Sequence, residues 1–323
     1  MRTGINPNKL YKEGKGFREV TAGILVNIPN TNGYYDNSMP VLEECIKSSK
    51  NNTDIVFDLL VVDNGSVEEV RELLMDYHKA GVIDYLIFNK ENLGRPNGVR
   101  QILNSSPGNY VSYSDCDIYF KQGWLESELD LLKNIPNTGF VSGMPNSNFT
   151  DYFTEYTVNF VERGRDFKVE KGKLIPREYL ISFAESLGYE NITEPMEIWD
   201  KKNDIRINYK EMTAYVGASH MQFITKKELI HKLPFNNFKS LTGCNDEIID
   251  KYVNEFGYLR LSTEHPVIHH MGNKPYERST TTDSSSLKGN TGKGNFLNGF
   301  KRRLIGKIYD WSFKKYYSLD SKK

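Results

Sequence analysis

Cysteine and long apolar runs are both scarce in this sequence, and each scarcity excludes something. The three cysteines, Cys45, Cys116 and Cys244, are odd in number, far apart and without zinc-type spacing. A reducing compartment is therefore expected rather than a disulfide framework. No stretch approaches the roughly 20 apolar residues of a membrane-spanning helix. The opening MRTGINPNKLYKEGKGF also lacks the apolar centre of a secretory signal. A cytoplasmic protein is expected. Net charge is missing as well, because 42 Lys and Arg balance 42 Asp and Glu. Nothing draws the surface as a whole to nucleic acid. No internal repeat is visible.

What is present is an alternation. Apolar runs at 24–29 (ILVNIP), 55–62 (IVFDLLVV), 82–88 (VIDYLIF) and 110–113 read as strands. Between them lie helical patterns. One covers 38–50, with Ser38 as cap and Met39, Leu42, Cys45 and Ile46 on one face; one runs through Val70, Leu73, Leu74 and Tyr77; a third covers 97–103. This order predicts an α/β protein with a mostly parallel sheet flanked by helices. Ligands of such sheets bind beyond the carboxyl ends of the strands. Asn30, Asp63, Asn92 and Asp115 each follow a strand, so one edge collects the polar groups. Residues 145–210, aromatic and charged with weak periodicity, are expected to be an insertion closing over that edge; an ordinary helical subdomain is the alternative. A strand-like run with Gly217 at 213–225, and a helix over 247–256, follow. Residues 279–295 form a Ser/Thr/Gly linker.

The strongest local signal is Ser114-Asp115-Cys116-Asp117 at a strand end. Two carboxylates at i and i+2 can approach one cation where the backbone turns. Hard oxygen ligands suit Mn²⁺ or Mg²⁺, which keep positions open for diphosphate oxygens. In isolation the same residues also suit a strand-end turn.

Several segments, taken in order, resemble the GT-A-fold glycosyltransferases, and among them family 2. LLVVDNGS is similar to the family's nucleoside-holding strand and turn, and NKENLGRPNGVRQIL to its N-L-G-x-x-x-G segment. GNYVSYSDCDIYFKQGWLE resembles its D-x-D strand and following helix. AYVGASHMQFIT resembles the small-residue strand lining the donor sugar, GCNDEIIDKYVNEFGYL the acidic helix, and VIHHMGN the closing His-x-Gly. The resemblance spans most of residues 20–275. It implies a GT-A catalytic domain over 1–278, with a nucleotide-sugar-binding half (20–144), the 145–210 insertion and an acceptor half (211–278).

The resemblance also implies site residues. Asp63 would contact the donor base or ribose; an Asx turn that only shapes the loop is its other reading. Pro29, Asn30, Asn92 and Gly94 would shape the donor loops, and Arg95, Arg100 and Lys274 could reach phosphate. Asp115 and Asp117 would hold the metal, with Asp115 facing ribose as well. His270 would add an imidazole, with adjacent His269 as alternative, since neighbours in an extended segment face opposite ways. Asp246 would deprotonate the acceptor hydroxyl, with Glu247 as second choice because Asn245 stands where the family usually has Glu. Helix capping is the bland role for Asn245 and Asp246.

The implied function is metal-dependent transfer, with inversion, from a nucleotide-diphosphate sugar (a UDP-sugar favoured) to a glycan or lipid-linked acceptor in glycan or polysaccharide synthesis. A sugar-phosphate nucleotidyltransferase is one alternative, although the loop after the first strand, NTNGYYDN, carries no basic residue. A non-catalytic glycan-binding module is another. Residues 296–323 are basic, and Phe296, Phe300, Leu304, Ile308 and Trp311 form a stripe within 296–317. That pattern suits an amphipathic helix at the inner face of an anionic membrane, or one packed on protein.

Overall fold

The structure is a computed structural model that describes residue 4 and residues 16–189, 191–235 and 247–276. All of these fall in one compact unit, Met1–Tyr276. The linker 279–295 and the basic segment 296–323 lie outside the described residues. No helix among the described residues is long and apolar enough to cross a membrane.

A central sheet is built on β1 (Val20–Val26), which pairs in parallel with β2 (Asp58–Asn64) and β4 (Tyr110–Asp115); β3 (Tyr85–Asn89) extends β2 in parallel. Beyond β4 come β10 (Gln222–Lys226), β6 (Thr138–Ser142), β11 (Leu259–Thr263), β9 (Met212–Val216), β8 (Asp204–Tyr209) and β7 (Phe167–Gly172), in that spatial order. Only β10, β9 and β7 run against the others, so the expected mostly parallel sheet is present. A separate ribbon pairs β5 (Ile118–Phe120) with β12 (Ile268–His270).

Side chains of successive strand residues point to opposite faces, and here both faces are covered. Ile24 and Val26 of β1 pack in one core cluster with Leu42, Cys45 and Ile46 of α1 (Ser38–Asn51), Leu74 of α2 (Glu68–Lys79) and Trp124 of α4 (Trp124–Asn134). Leu25 packs in the other with Val99 and Ile102 of α3 (Arg95–Ser105). Burial on both faces explains why these strands read as continuous apolar runs rather than alternating ones.

The differences from the sequence reading are local. The first strand ends at Val26, so Asn27-Ile28-Pro29 already belongs to the loop; Pro29 has no amide to donate to a ladder. Asn37, not Ser38, occupies the position before α1. The run 213–225 is two strands, because Gly217 adopts φ +108 and the chain turns there. Residues 145–210 contribute β7 and β8 to the sheet, together with α5 (Glu155–Arg163), α6 (Arg177–Ser186) and α7 (Thr193–Asp200). On the edge strand β7 only Phe167, Val169 and Gly172 are partly covered, and that short signal is lost among charged residues.

Candidate active site

Four asparagines join the carboxyl ends of the first three strands. Asn64 donates from Nδ2 to Asn92 Oδ1 (2.9 Å), and its Oδ1 accepts from Asn89 Nδ2 (3.1 Å) and the Leu93 amide (3.0 Å). Asn92 Oδ1 also accepts the Gly94 amide (2.8 Å), while its Nδ2 donates to Asn27 Oδ1 (3.0 Å). Asn27 Nδ2 closes the circuit on the Asn64 carbonyl (2.9 Å). An amide side chain both donates and accepts, which lets one residue type link three strand ends. Asn92 and Gly94 sit on the loop between β3 and α3. Asn27, Asn64 and Asn89 were missed, and their signal was an asparagine at or just past the end of each strand.

Asp63 is fully buried and engaged in its own turn. Its Oδ1 accepts the Ser66 amide (3.0 Å), and Oδ2 lies 3.5 Å from Arg71 Nε without forming a hydrogen bond. The bond reaches the amide three residues on, one further than in an Asx turn, and it braces the loop after β2. Pro29 and Asn30 are exposed on the loop after β1, where Asn30 Oδ1 accepts the Asn32 amide (3.1 Å). Arg100 is half-buried on α3, and Lys274 is exposed beyond β12.

At the end of β4, Asp115 accepts from two sides. Arg95 Nη2 donates to its Oδ2 (2.7 Å) and the Tyr113 hydroxyl to its Oδ1 (2.6 Å). Burial and the Asp115 carboxylate push the Tyr113 phenol well above its ordinary value, so it remains the donor. Arg95 Nη2 also donates to the His220 carbonyl (3.1 Å), and Asp115's own amide donates to the Met221 carbonyl (2.9 Å). Arg95 begins α3, which carries its guanidinium to the mouth of the sheet edge.

Asp117 faces the other way. Its Oδ2 lies 3.3 Å from His270 Nε2, and its buried Oδ1 has no hydrogen-bond partner. The β5–β12 pairing and the Met271 amide, donated to the Asp117 carbonyl (2.8 Å), bring the two together. Ser186 Oγ sits 2.9 Å from His270 Nδ1 and donates its own proton to the Phe183 carbonyl (2.6 Å). It is left to accept from Nδ1–H. His269 turns away, its ring 5.1 Å from that of Tyr276, and burial lowers its pKa to about 4. Of the two histidines, only His270 faces Asp117.

These residues fit a divalent cation in donor chemistry. An imidazole whose Nδ1–H is fixed by Ser186 presents Nε2 as the ligating atom when neutral. The partnerless Asp117 Oδ1 is a hard oxygen with coordination capacity to spare. Among the described residues, however, no three His, Cys, Asp or Glu side chains already converge as a metal cluster. Asp115 is held by Arg95 instead.

After the short α8 (Lys227–Ile230), α9 spans Glu247–Glu255. Asp246 lies outside the described residues, and of Glu247 only the backbone is described. One turn into the helix, Asp250 is fully buried, with Oδ1 3.0 Å from Arg260 Nη2 and Oδ2 3.8 Å from His220 Nδ1. Arg260 is itself fully buried and also donates to the carbonyls of Tyr152, Phe153 and Ala218. Burial depresses its pKa, and Asp250 opposes that. Neither Asp250 nor Arg260 stood out in the sequence, because nothing local marks a helix Asp and a strand Arg as partners.

With this geometry in place, comparison with known proteins is informative. The family model for Glycosyl transferase family 2 matches residues 28–192, just over half of the chain. The match includes the asparagine circuit from Asn64 to Asn92, Asp115 and Asp117, and ends before His270. A protein of Bacillus subtilis (strain 168), TuaG, whose name places it in teichuronic acid biosynthesis as a glycosyltransferase, is 24% identical over 96 residues. Those residues are 30% of this chain and 38% of TuaG, so the chain spans well under half of that relative. Among solved structures, the mannosyltransferase PcManGT from Pyrobaculum calidifontis, in complex with GDP-Man and Mn²⁺, is 15% identical with a TM-score of 0.44, over 80% of this chain and 60% of its own. GalNAc-T7 with UDP, GalNAc and Mn²⁺ is 11% identical with a TM-score of 0.48, over 80% of this chain and 44% of its own.

Proposed function

The chain belongs to glycosyltransferase family 2, and from that premise we propose that it transfers a sugar, with inversion, from a nucleotide-diphosphate donor, a UDP-sugar favoured, to an acceptor hydroxyl. The nucleoside would lie across the strand ends that the asparagine circuit joins. Asp117 and His270, with Asp115 opposite, would hold Mn²⁺ or Mg²⁺. When bound, the cation would offset the negative charge that develops on the departing diphosphate. Arg95 has a guanidinium suited to phosphate oxygens and already stands at Asp115. Asp246 would take the proton of the acceptor hydroxyl as the new bond forms, with Glu247 the second choice.

The observation that carries this reading is the half-buried Asp117 carboxylate, with one oxygen against His270 and the other, buried oxygen without a partner. A buried carboxylate oxygen left without a partner is costly unless something completes it. The acceptor would be a glycan or a lipid-linked glycan, in glycan or polysaccharide biosynthesis. The basic 296–317 segment would contact an anionic membrane from the cytoplasmic side.

The test is incubation with a panel of nucleotide sugars and Mn²⁺ or Mg²⁺. Release of nucleoside diphosphate, abolished in Asp117→Ala, supports the transferase. Pyrophosphate or monophosphate products would instead indicate a nucleotidyltransferase. Silence accompanied by glycan binding would indicate a non-catalytic module. Asp246→Asn should keep donor affinity and lower the rate by about two orders of magnitude.

A further inference from the structure

We infer that His220, oriented by the buried Asp250, is a further substrate-contacting residue that hydrogen-bonds a sugar hydroxyl between the Asp115 mouth and helix α9; this rests on the transferase reading above. Three features place the residue there. Gly217 turns the chain out of β9 with a positive φ, and an added Cβ would come within 2.5 Å of the Phe149 carbonyl oxygen. The Ser219 amide then donates to Ser142 Oγ (3.1 Å) at the end of β6. The next two carbonyls, of His220 and Met221, accept from Arg95 Nη2 and from the Asp115 amide. The backbone of His220 is thus fixed against the two groups that define the mouth.

The side chain turns from there toward α9. Its Nδ1 faces Asp250 Oδ2 at 3.8 Å, too far for a hydrogen bond, so the carboxylate acts on the ring by charge alone, and the side chain remains 20% exposed. Asp250 does not need this imidazole for charge balance, because Arg260 already compensates it at 3.0 Å and is held by three carbonyls. A histidine beside an ion pair that is already neutral adds little to folding. A buried carboxylate facing Nδ1 does, however, favour the Nδ1–H tautomer and leaves the Nε2 lone pair pointing away from Asp250. No partner for Nε2 occurs among the described residues. A hydroxyl-bearing ligand lying between the metal residues and the start of α9 would meet that acceptor. Asp250 acts through His220 and is a positioning residue.

The hydroxyl belongs either to the donor sugar or to the acceptor, and the two arms of one experiment separate these. Full-length wild type, His220→Ala and His220→Gln are compared for thermal melting, for calorimetric binding of UDP and of UDP-glucose, UDP-N-acetylglucosamine and GDP-mannose with Mn²⁺, and for consumption of those donors. His220→Ala should melt like wild type and bind Mn²⁺ with UDP within about twofold, yet consume donor at least about tenfold more slowly. His220→Gln, which keeps an acceptor atom, should recover part of the rate. Weaker binding of the nucleotide sugar but not of UDP assigns the contact to the donor sugar. Unchanged binding of both assigns it to the acceptor. In ¹⁵N spectra of the wild type, the His220 ring should carry its proton on Nδ1. A wild-type rate in His220→Ala, an Nε2–H tautomer, or an equal loss of UDP affinity would each overturn the inference. Wild type that neither binds UDP nor consumes any donor would instead overturn the transferase reading itself, before any variant is compared.

Discussion

His270 Nε2 approaches Asp117 Oδ2 to 3.3 Å, joining a residue near the end of the described chain to one at the end of β4. The approach follows from register, because His270 pairs with Ile118 across the β5–β12 ribbon. Burial disfavours both charged forms. The opposed charge and the hydrogen bond outweigh it, so the Asp117 carboxyl is held below its ordinary value and the His270 imidazole above its own. Ser186, on the far side of the ring, keeps the imidazole aimed.

Ser186→Ala should therefore disturb the proposed metal ligands without touching a metal. The ring loses the partner that sets its tautomer. Mn²⁺-dependent UDP binding is expected to weaken by about tenfold or more, as read by calorimetry, with little change in melting temperature.

The ion pair should also appear in the pH dependence of the metal-free protein. His270 has a raised folded pKa, so its contribution is complete below the free-histidine value of about 6.5 and is lost as pH rises through the folded value. Asp117 has a lowered one, so its contribution is complete above about 3.9 and is lost as pH falls through its folded value. The gap in melting temperature between wild type and His270→Gln should be widest between those reference values and narrow at alkaline pH. A gap that does not change with pH would show that the pair is not ionised.

Glu128 predicts a slope of the same sign as His270. It is fully buried on α4, and both of its oxygens accept from Gln222 Nε2 at 2.8 Å. Burial pushes its carboxyl well above the usual range, with the Gln222 hydrogen bond only partly opposing. The folded state thus retains a proton that the unfolded chain releases above about pH 4.3, and stability falls as pH rises toward the folded value. Glu128→Gln cannot ionise. Urea titrations should show it gaining on wild type steadily from pH 5 to pH 8.

Gly65 ties the two loops of the asparagine circuit together. It sits at φ +81, and an added Cβ would lie 2.6 Å from the backbone nitrogen of Asn92. Backbone cannot yield as a flexible side-chain tip can. Gly65→Ala should cost about 1–3 kcal/mol in chemical denaturation and weaken Mn²⁺-dependent UDP binding by displacing residues 91–94.

The sequence by itself determined the architecture built on β1 to β4. Apolar runs such as LLVV and helical stripes such as Val70, Leu73, Leu74 and Tyr77 are local patterns, and each specifies its own element and the face it buries. The same locality put Asp115 and Asp117 at a strand end and made the family resemblance legible. Only the tertiary structure decided which of two adjacent histidines faces Asp117, that Asp63 closes its own turn, that Arg95 reaches Asp115, and that Asn27, Asn64, Asn89 and Asn92 form one circuit. It also showed residues 145–210 adding β7 and β8 to the sheet. Each of these depends on pairing register or on the meeting of distant strand ends, and a contact between remote segments leaves no period in the chain that forms it.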